Sequence, residues 1–317
     1  MLDRRSYLQG AALSLGVPAA GVSLDRLAEM TDHRWTAVET PTSRTLNAAA
    51  TASTGPVAAG RNGLLLERTD DAWTTVTRNG PGGDGSDLTT LGVTDDGDRV
   101  WMAGASGALG TYDVRAGERT DRTAPDDVTD DFTALSVAGS PGDEHVYLGD
   151  SSGTVHVSTD GGESWTHLTP GSGATIHGLD CYGPASAVLV DGAGAAFETA
   201  TGTDWHRAGV DAEGRLAAVD ADGADDVTVV GARVHERTDT GWHATDVTGA
   251  TLTDVAVCSC GCVHAVGANG TIAHQPGEEM GNDGGWEVSS PTDVTLHGVA
   301  LGYPHVAVGA SGTILER

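Results

Sequence analysis

The chain has no lysine in 317 residues. Its 17 basic residues are all arginine and face 45 Asp and Glu, so the formal net charge is −28 at pH 7. That balance excludes function classes that lay basic patches on nucleic acid or on anionic membrane surfaces. Long apolar runs are missing too. The one uncharged stretch near the start, Gly10 to Leu24, is shorter than the roughly 20 residues a membrane-spanning helix needs. Tyrosine is scarce, at five, and cysteine scarcer, at four. What is abundant is glycine, 46 residues, about twice the usual share. Glycine inside helices costs about 1 kcal/mol each, so a mostly helical protein is excluded, and 38% hydrophobic residues argue against a disordered chain.

An excess of acid without lysine is the pattern of proteins that work in molar salt. At 1 M the screening length falls to about 3 Å, and repulsion among surface carboxylates becomes small. At low salt the same surface repels itself and weakens the compact state. The acidity then reflects adaptation to a halophile's solvent and carries no information about partners.

The N-terminus reads Met1-Leu2-Asp3-Arg4-Arg5-Ser6-Tyr7-Leu8. Paired arginines, an aromatic residue and leucine resemble a twin-arginine export signal. The uncharged stretch that follows suits its apolar segment, and Ala19-Ala20-Gly21 suits cleavage. We therefore expect a leader over 1–34 and an exported, extracellular or cell-surface protein with no membrane span in the mature chain. The alternative is a retained N-terminal helix on a cytoplasmic protein.

Internal repetition sets the fold. One phrase recurs seven times: apolar residues, a glycine, a short turn, a second glycine that the fifth copy has lost, then another apolar run. It begins at Val57, Val100, Val146, Val188, Val227, Val263 and Val306. Aligning Gly60, Gly104, Gly149, Asp191, Gly231, Gly267 and Gly309 gives steps of 44, 45, 42, 40, 36 and 42 residues. Each copy reads as two short strands around a tight turn. A third strand precedes each, beginning at Leu46, Leu88, Phe132, Ile176, Leu216, Leu252 and Leu296. A fourth follows most of them, opened by Trp73, Trp165, Trp205, Trp242 or Trp286. Four strands per unit of about 40 residues is a propeller blade. The chain stops after the third strand of the seventh copy, and a spare Trp strand lies at the other end, at Trp35-Thr-Ala-Val-Glu-Thr. The expected fold is all-β: a seven-bladed β-propeller over 35–317, closed by its N-terminal strand in the last blade.

The string Ser158-Thr-Asp160-Gly-Gly162-Glu-Ser-Trp165 resembles the Asp-box of BNR-repeat propellers, within the wider WD40/YVTN/BNR-like group. The recurring V-x-x-G-x-x-G-x-I/L phrase with its Trp strand is similar to the photosystem II stability/assembly factor propellers. The resemblance covers about 35–317 and implies a non-catalytic platform that binds proteins through an arginine-bearing face, for which Arg44 and Arg61 are the candidates. Asp-box folds also include sialidases and other glycosidases, so a secreted carbohydrate-active enzyme is the alternative. A sialidase needs an arginine cluster and a tyrosine nucleophile beside a glutamate, and no such arrangement is visible.

Other motifs carry candidate chemistry. Asp160 is expected to accept backbone N–H groups in its turn. Cys258, Cys260 and Cys262 could bind a soft metal as thiolates, with His264 nearest by sequence for a fourth ligand, or could form a redox pair or a plain disulfide with one thiol over. Asp220-Ala-Asp222-Gly-Ala-Asp225-Asp226 is read as an acidic turn, lacking the full calcium pattern. In the innermost strands Asn47, Thr89, Thr133, His177, Thr253 and His297 occupy matching second places, as does Ala217. They would either face the channel as a polar ring or hydrogen-bond to neighbouring blades. No cofactor is expected, and the working picture is a monomer with a protein partner.

Overall fold

The computed structural model describes residues 34–171, 173–210, 212–238, 240–277 and 285–317. The expected leader, except for its last residue, Arg34, lies outside the described residues. Strand β1 (Thr36–Ala37) precedes seven sheets. Blade 1 comprises β2 (Leu46–Ala52), β3 (Gly55–Gly60), β4 (Leu64–Thr69) and β5 (Ala72–Thr77); blade 2 comprises β6 (Leu88–Val93), β7 (Arg99–Gly104), β8 (Leu109–Asp113) and β9 (Glu118–Asp121). Blade 3 is β10 (Phe132–Ala138), β11 (His145–Asp150), β12 (Val155–Ser158) and β13 (Thr166–Leu168); blade 4 is β14 (Ile176–Gly183), β15 (Ser186–Asp191), β16 (Ala196–Thr199) and β17 (Trp205–Arg207). Blade 5 is β18 (Leu216–Gly223), β19 (Asp226–Gly231), β20 (Val234–Thr238) and β21 (Gly241–Thr245); blade 6 is β22 (Leu252–Val257), β23 (Val263–Gly267), β24 (Ile272–Gln275) and β25 (Glu287–Ser289). Blade 7 has β26 (Leu296–Ala300), β27 (Val306–Gly309) and β28 (Ile314–Glu316) from the C-terminus and takes β1 as its outer strand.

That closure is antiparallel, with Thr36 opposite Glu316 and Ala37 opposite Leu315. Glu316 also accepts hydrogen bonds from Arg68 Nε and Trp73 Nε1, each 2.8 Å, which ties blade 7 to blade 1. The ring therefore leaves no seam between its ends, and the edge that an open array would expose is paired.

There is no single central core. Seven apolar clusters lie between blades, each built from two neighbours; Leu46, Leu64, Leu66 and Trp73 of blade 1, for example, pack with Val306, Val308 and Ile314 of blade 7. The first residue of every inner strand, Leu46, Leu88, Phe132, Ile176, Leu216, Leu252 or Leu296, is fully buried. Transferring such a side chain from water is worth about 2 kcal/mol, so each blade is held mainly by what it buries against its neighbours.

The glycine phrase has a steric basis. A Cβ at Gly309 would lie 2.3 Å from the carbonyl oxygen of Thr295, and Gly312 adopts φ +73°, the left-handed region that favours glycine. In blade 3 the register departs from the sequence alignment: the partner of Phe132 is Asp150, not Gly149. Asp150 is thus the counterpart of Asp191, which pairs with Ile176. Both carboxylates replace the glycine by organising the turn themselves. Asp150 Oδ1 accepts the N–H groups of Ser152 and Thr154, and Asp191 Oδ1 those of Ala193 and Ala195.

Every inner strand carries a register shift at its second residue: Leu46 and Ala48 pair in sequence with Gly60 and Ala59, skipping Asn47, and the other six blades repeat this. A bulge turns the skipped side chain out of the ladder. This local irregularity positions the site described next.

Candidate functional site

The inner strands surround an axial channel of about 530 Å³, lined by all six of the matching second-place residues and by Ala217. The bulge aims these side chains around the ring. Asn47 Nδ2 donates to the carbonyl of Leu88 (2.7 Å), Thr89 Oγ1 to that of Phe132 (2.6 Å), Thr133 Oγ1 to that of Ile176 (2.5 Å) and Thr253 Oγ1 to that of Leu296 (2.7 Å). Each acceptor is the first inner-strand residue of the next blade. These four residues both line the channel and link neighbouring blades.

His177, Ala217 and His297 interrupt that belt. Burial lowers the pKa of both histidines, and a guanidinium adds to the effect: Arg215 for His177, Arg61 for His297. Arg215 and Arg61 are both exposed at the mouth formed by the second-to-third-strand turns and the blade-linking segments. At neutral pH this mouth offers neutral imidazoles flanked by cationic guanidiniums, a set of hydrogen-bond donors suited to a carboxylate or a peptide carbonyl. Arg44 is held differently. Its Nη1 donates to the carbonyls of Asn62 (3.3 Å) and Arg78 (3.1 Å), so it braces blade 1.

A second set of acceptors lies farther along the same strands, at the fifth place in blades 4 and 5 and at the third in blade 6. Asp180 Oδ2 accepts the N–H of Ala221, Asp220 Oδ2 that of Val257, and Asp254 Oδ2 that of Val299, at 3.0, 3.2 and 2.8 Å. In blade 3 Ser136 takes this place: its Oγ accepts the N–H of Cys181 and donates to Asp180 Oδ1. Each acceptor serves the next blade's inner strand, whose channel-side N–H groups have no sheet partner. Desolvation pushes Asp254 up to about 7.

Sequence reasoning missed these carboxylates and Arg215. The signal was present, since aspartate recurs at the fifth place of the first-strand strings beginning at Ile176 and Leu216. The acidic stretch read as a turn therefore has two parts: Asp220 is a link between blades, and Asp225 sits in the exposed hairpin turn.

Asp160 lies far from this belt in function. Its Oδ1 accepts the N–H groups of Glu163 and Ser164 and the hydroxyl of Ser158, and its Oδ2 the hydroxyl of Ser164. The Ser164 hydroxyl leads the causes that hold its pKa down to about 2. Gly162 N–H donates to Ser158 Oγ (2.8 Å), and Trp165 packs partly buried against the cluster between blades 2 and 3. The carboxylate is saturated by its own turn. Cys258, Cys260 and Cys262 converge in the loop between β22 and β23, and their sulfurs all lie within 4.8 Å of one another. Cys181 is separate and buried, outside any disulfide, with its Sγ 3.0 Å from Ser136 Oγ.

No family model matches the sequence, and no curated protein matches it either. Solved structures match by shape. YCF48 from Cyanidioschyzon merolae superposes with a TM-score of 0.68 at 16% identity, over 89% of this chain and 98% of that one. The WD40 β-propeller domain of Doa1 gives 0.73 at 11% identity over 89% and 96%. Virginiamycin B lyase from Staphylococcus aureus gives 0.73 at 12% identity over 89% and 98%. At such identities the likeness shows the propeller fold alone, and these neighbours include a lyase as well as a WD40 domain.

Proposed function

We propose that this propeller is a non-catalytic binding or assembly scaffold, exported from a salt-adapted cell, that takes a protein partner at the channel mouth carrying Arg61 and Arg215. The observation that carries this reading is the pairing of those exposed guanidiniums with His297 and His177, on a chain whose charge is otherwise strongly negative. Propellers of this shape include YCF48 bound to D1 peptide and one in the mitotic checkpoint complex, which supports peptide or protein capture as a use of the fold. The carboxylates of Asp180, Asp220 and Asp254 are engaged with backbone N–H groups and that of Asp160 with its own turn, which favours a structural over a catalytic role for them. The Arg4-Arg5 signal supports folded export, and the absence of lysine supports the salt adaptation.

Affinity capture from a molar-salt lysate tests the reading. A reproducible partner retained by the wild type and lost by the double variant Arg61→Glu, Arg215→Glu is expected. Capture unaffected by those changes, or turnover of a glycan by the purified chain, would replace it. Export is tested by the secretion of the chain with and without Arg4→Lys and Arg5→Lys.

A further inference from the structure

The loop joining β22 to β23 differs from its six counterparts, which turn through acidic, glycine and proline residues such as Asp95-Asp96-Gly97 and Gly302-Tyr303-Pro304. Here three thiols occupy alternate positions of a five-residue turn. The turn is held by Cys258 N–H donating to the carbonyl of Cys262 and Gly261 N–H to that of Cys258, each 2.9 Å. Gly261 adopts φ +76°, which lets the chain reverse between the second and third thiols. The segment after β24 presses on the loop so closely that a Cβ at Gly277 would fall 2.0 Å from the carbonyl oxygen of Cys260. The turn is thus built and covered, and Cys262 is buried at its inner end.

The structure joins Cys258 to Cys260 in a disulfide, and the Cys262 sulfur makes a second, competing contact with that of Cys258, 3.2 Å from the Cys260 sulfur. One sulfur takes one disulfide partner, so any disulfide in this loop leaves a third sulfur over at the same point. A single ion can take all three. The N–H of Cys262 points at Cys258 Sγ from 3.1 Å, a donor that favours a thiolate there once the disulfide is reduced. Among the described residues no His, Asp or Glu completes the group. His264, two residues on, directs Nε2 to Arg317 Nη1 (3.2 Å). A structural zinc site wants four ligands, whereas soft thiolate donors select Cu(I) as well as zinc, and Cu(I) accepts three.

We propose that Cys258, Cys260 and Cys262 form a three-thiolate site for Cu(I). The site forms once a thiol or phosphine reductant has supplied two electrons and opened the Cys258–Cys260 disulfide to two thiols. Binding to this reduced loop would then displace three thiol protons, one from each sulfur, with no further change in oxidation state, so affinity should rise with pH.

The test uses the full chain, reduced with a phosphine under argon and held in concentrated sodium sulfate, because chloride itself complexes Cu(I). Cu(I) is added in competition with bathocuproine disulfonate, and Zn(II) in a separate arm. One equivalent of Cu(I) withdrawn from the chelator, with a thiolate-to-copper charge-transfer band, is the expected result. The band should survive Cys181→Ser and be lost in the Cys258→Ser, Cys260→Ser, Cys262→Ser triple variant, while the far-ultraviolet circular dichroism of both variants stays that of the wild type. If the triple variant does not fold, the single Cys260→Ser change, at a half-exposed position, replaces it, with loss of the band again expected. Failure to compete, binding that survives loss of the three thiols, or tight binding of Zn(II) in preference to Cu(I) would overturn the proposal.

Discussion

Two belts join the inner strands of neighbouring blades, and they do so with opposite chemistry. Near the start of each strand, neutral amide and hydroxyl groups of Asn47, Thr89, Thr133 and Thr253 donate to the next blade's carbonyls. Farther along, the acceptors are carboxylates, Asp180, Asp220 and Asp254, and they receive the next blade's N–H groups. An inner strand is an edge, and its channel-side donors and acceptors both need partners. Hydroxyls meet one half of that need without charge. Carboxyl groups meet the other half, through charge-assisted bonds when ionised, and make it sensitive to pH.

The largest break in this comparison should come from Asp180→Ala. It removes the acceptor of Ala221 N–H and the partner of Ser136 Oγ, leaving donors unsatisfied. Equilibrium unfolding in molar salt should show a loss of about 3 kcal/mol; a loss near zero would mean that water replaces the carboxylate.

Asp254→Asn tests the pH dependence. The folded-state pKa of Asp254 is raised to about 7, against about 3.9 in an unfolded chain. Between those values the folded form holds the proton that the unfolded form releases, so this group makes stability fall as pH rises from about 4 to about 7. Asparagine can still accept the Val299 N–H, and the variant should flatten that part of a stability-versus-pH profile. The histidines act with the other sign. His177 and His297 are depressed, so the stability they contribute is complete above about 6.5 and is lost as pH falls through their folded pKa values.

Thr133→Val removes a neutral donor of the first belt while keeping the shape. The expected cost is about 1 kcal/mol in the same unfolding experiment, with no change in its pH dependence. The smallest effect is a gain. Ala217 occupies the belt position without a donor, and Ala217→Thr should reach the Leu252 carbonyl as Thr133 reaches that of Ile176. A stabilisation of about 0.5 kcal/mol is expected; destabilisation would show that the position lacks room for the hydroxyl.

Much of this architecture was legible in the repeats. The strand strings, their tryptophans and the spare strand at Trp35 specify blade number and closure because each blade's turns and alternation are local. Blade 3 shows where alignment fails: Gly149 satisfied the pattern, yet Asp150 fills the place, since a carboxylate that organises its own turn substitutes for glycine. Of the candidate site, the second-place residues were readable as a recurring position, and Arg61 as what the family resemblance implies. Arg215 was not, because a single arginine in a linker gains meaning only beside His177.

Composition, repeat length and turn residues by themselves determined an acidic, seven-bladed ring sealed by its own first strand. Tertiary structure decided which polar residues act together. The bonds between inner strands join residues 37 to 45 positions apart, so they exist only once neighbouring blades pack side by side. The three sulfurs meet through a local turn, but the segment at Gly277 that covers it is brought there by the fold of the blade.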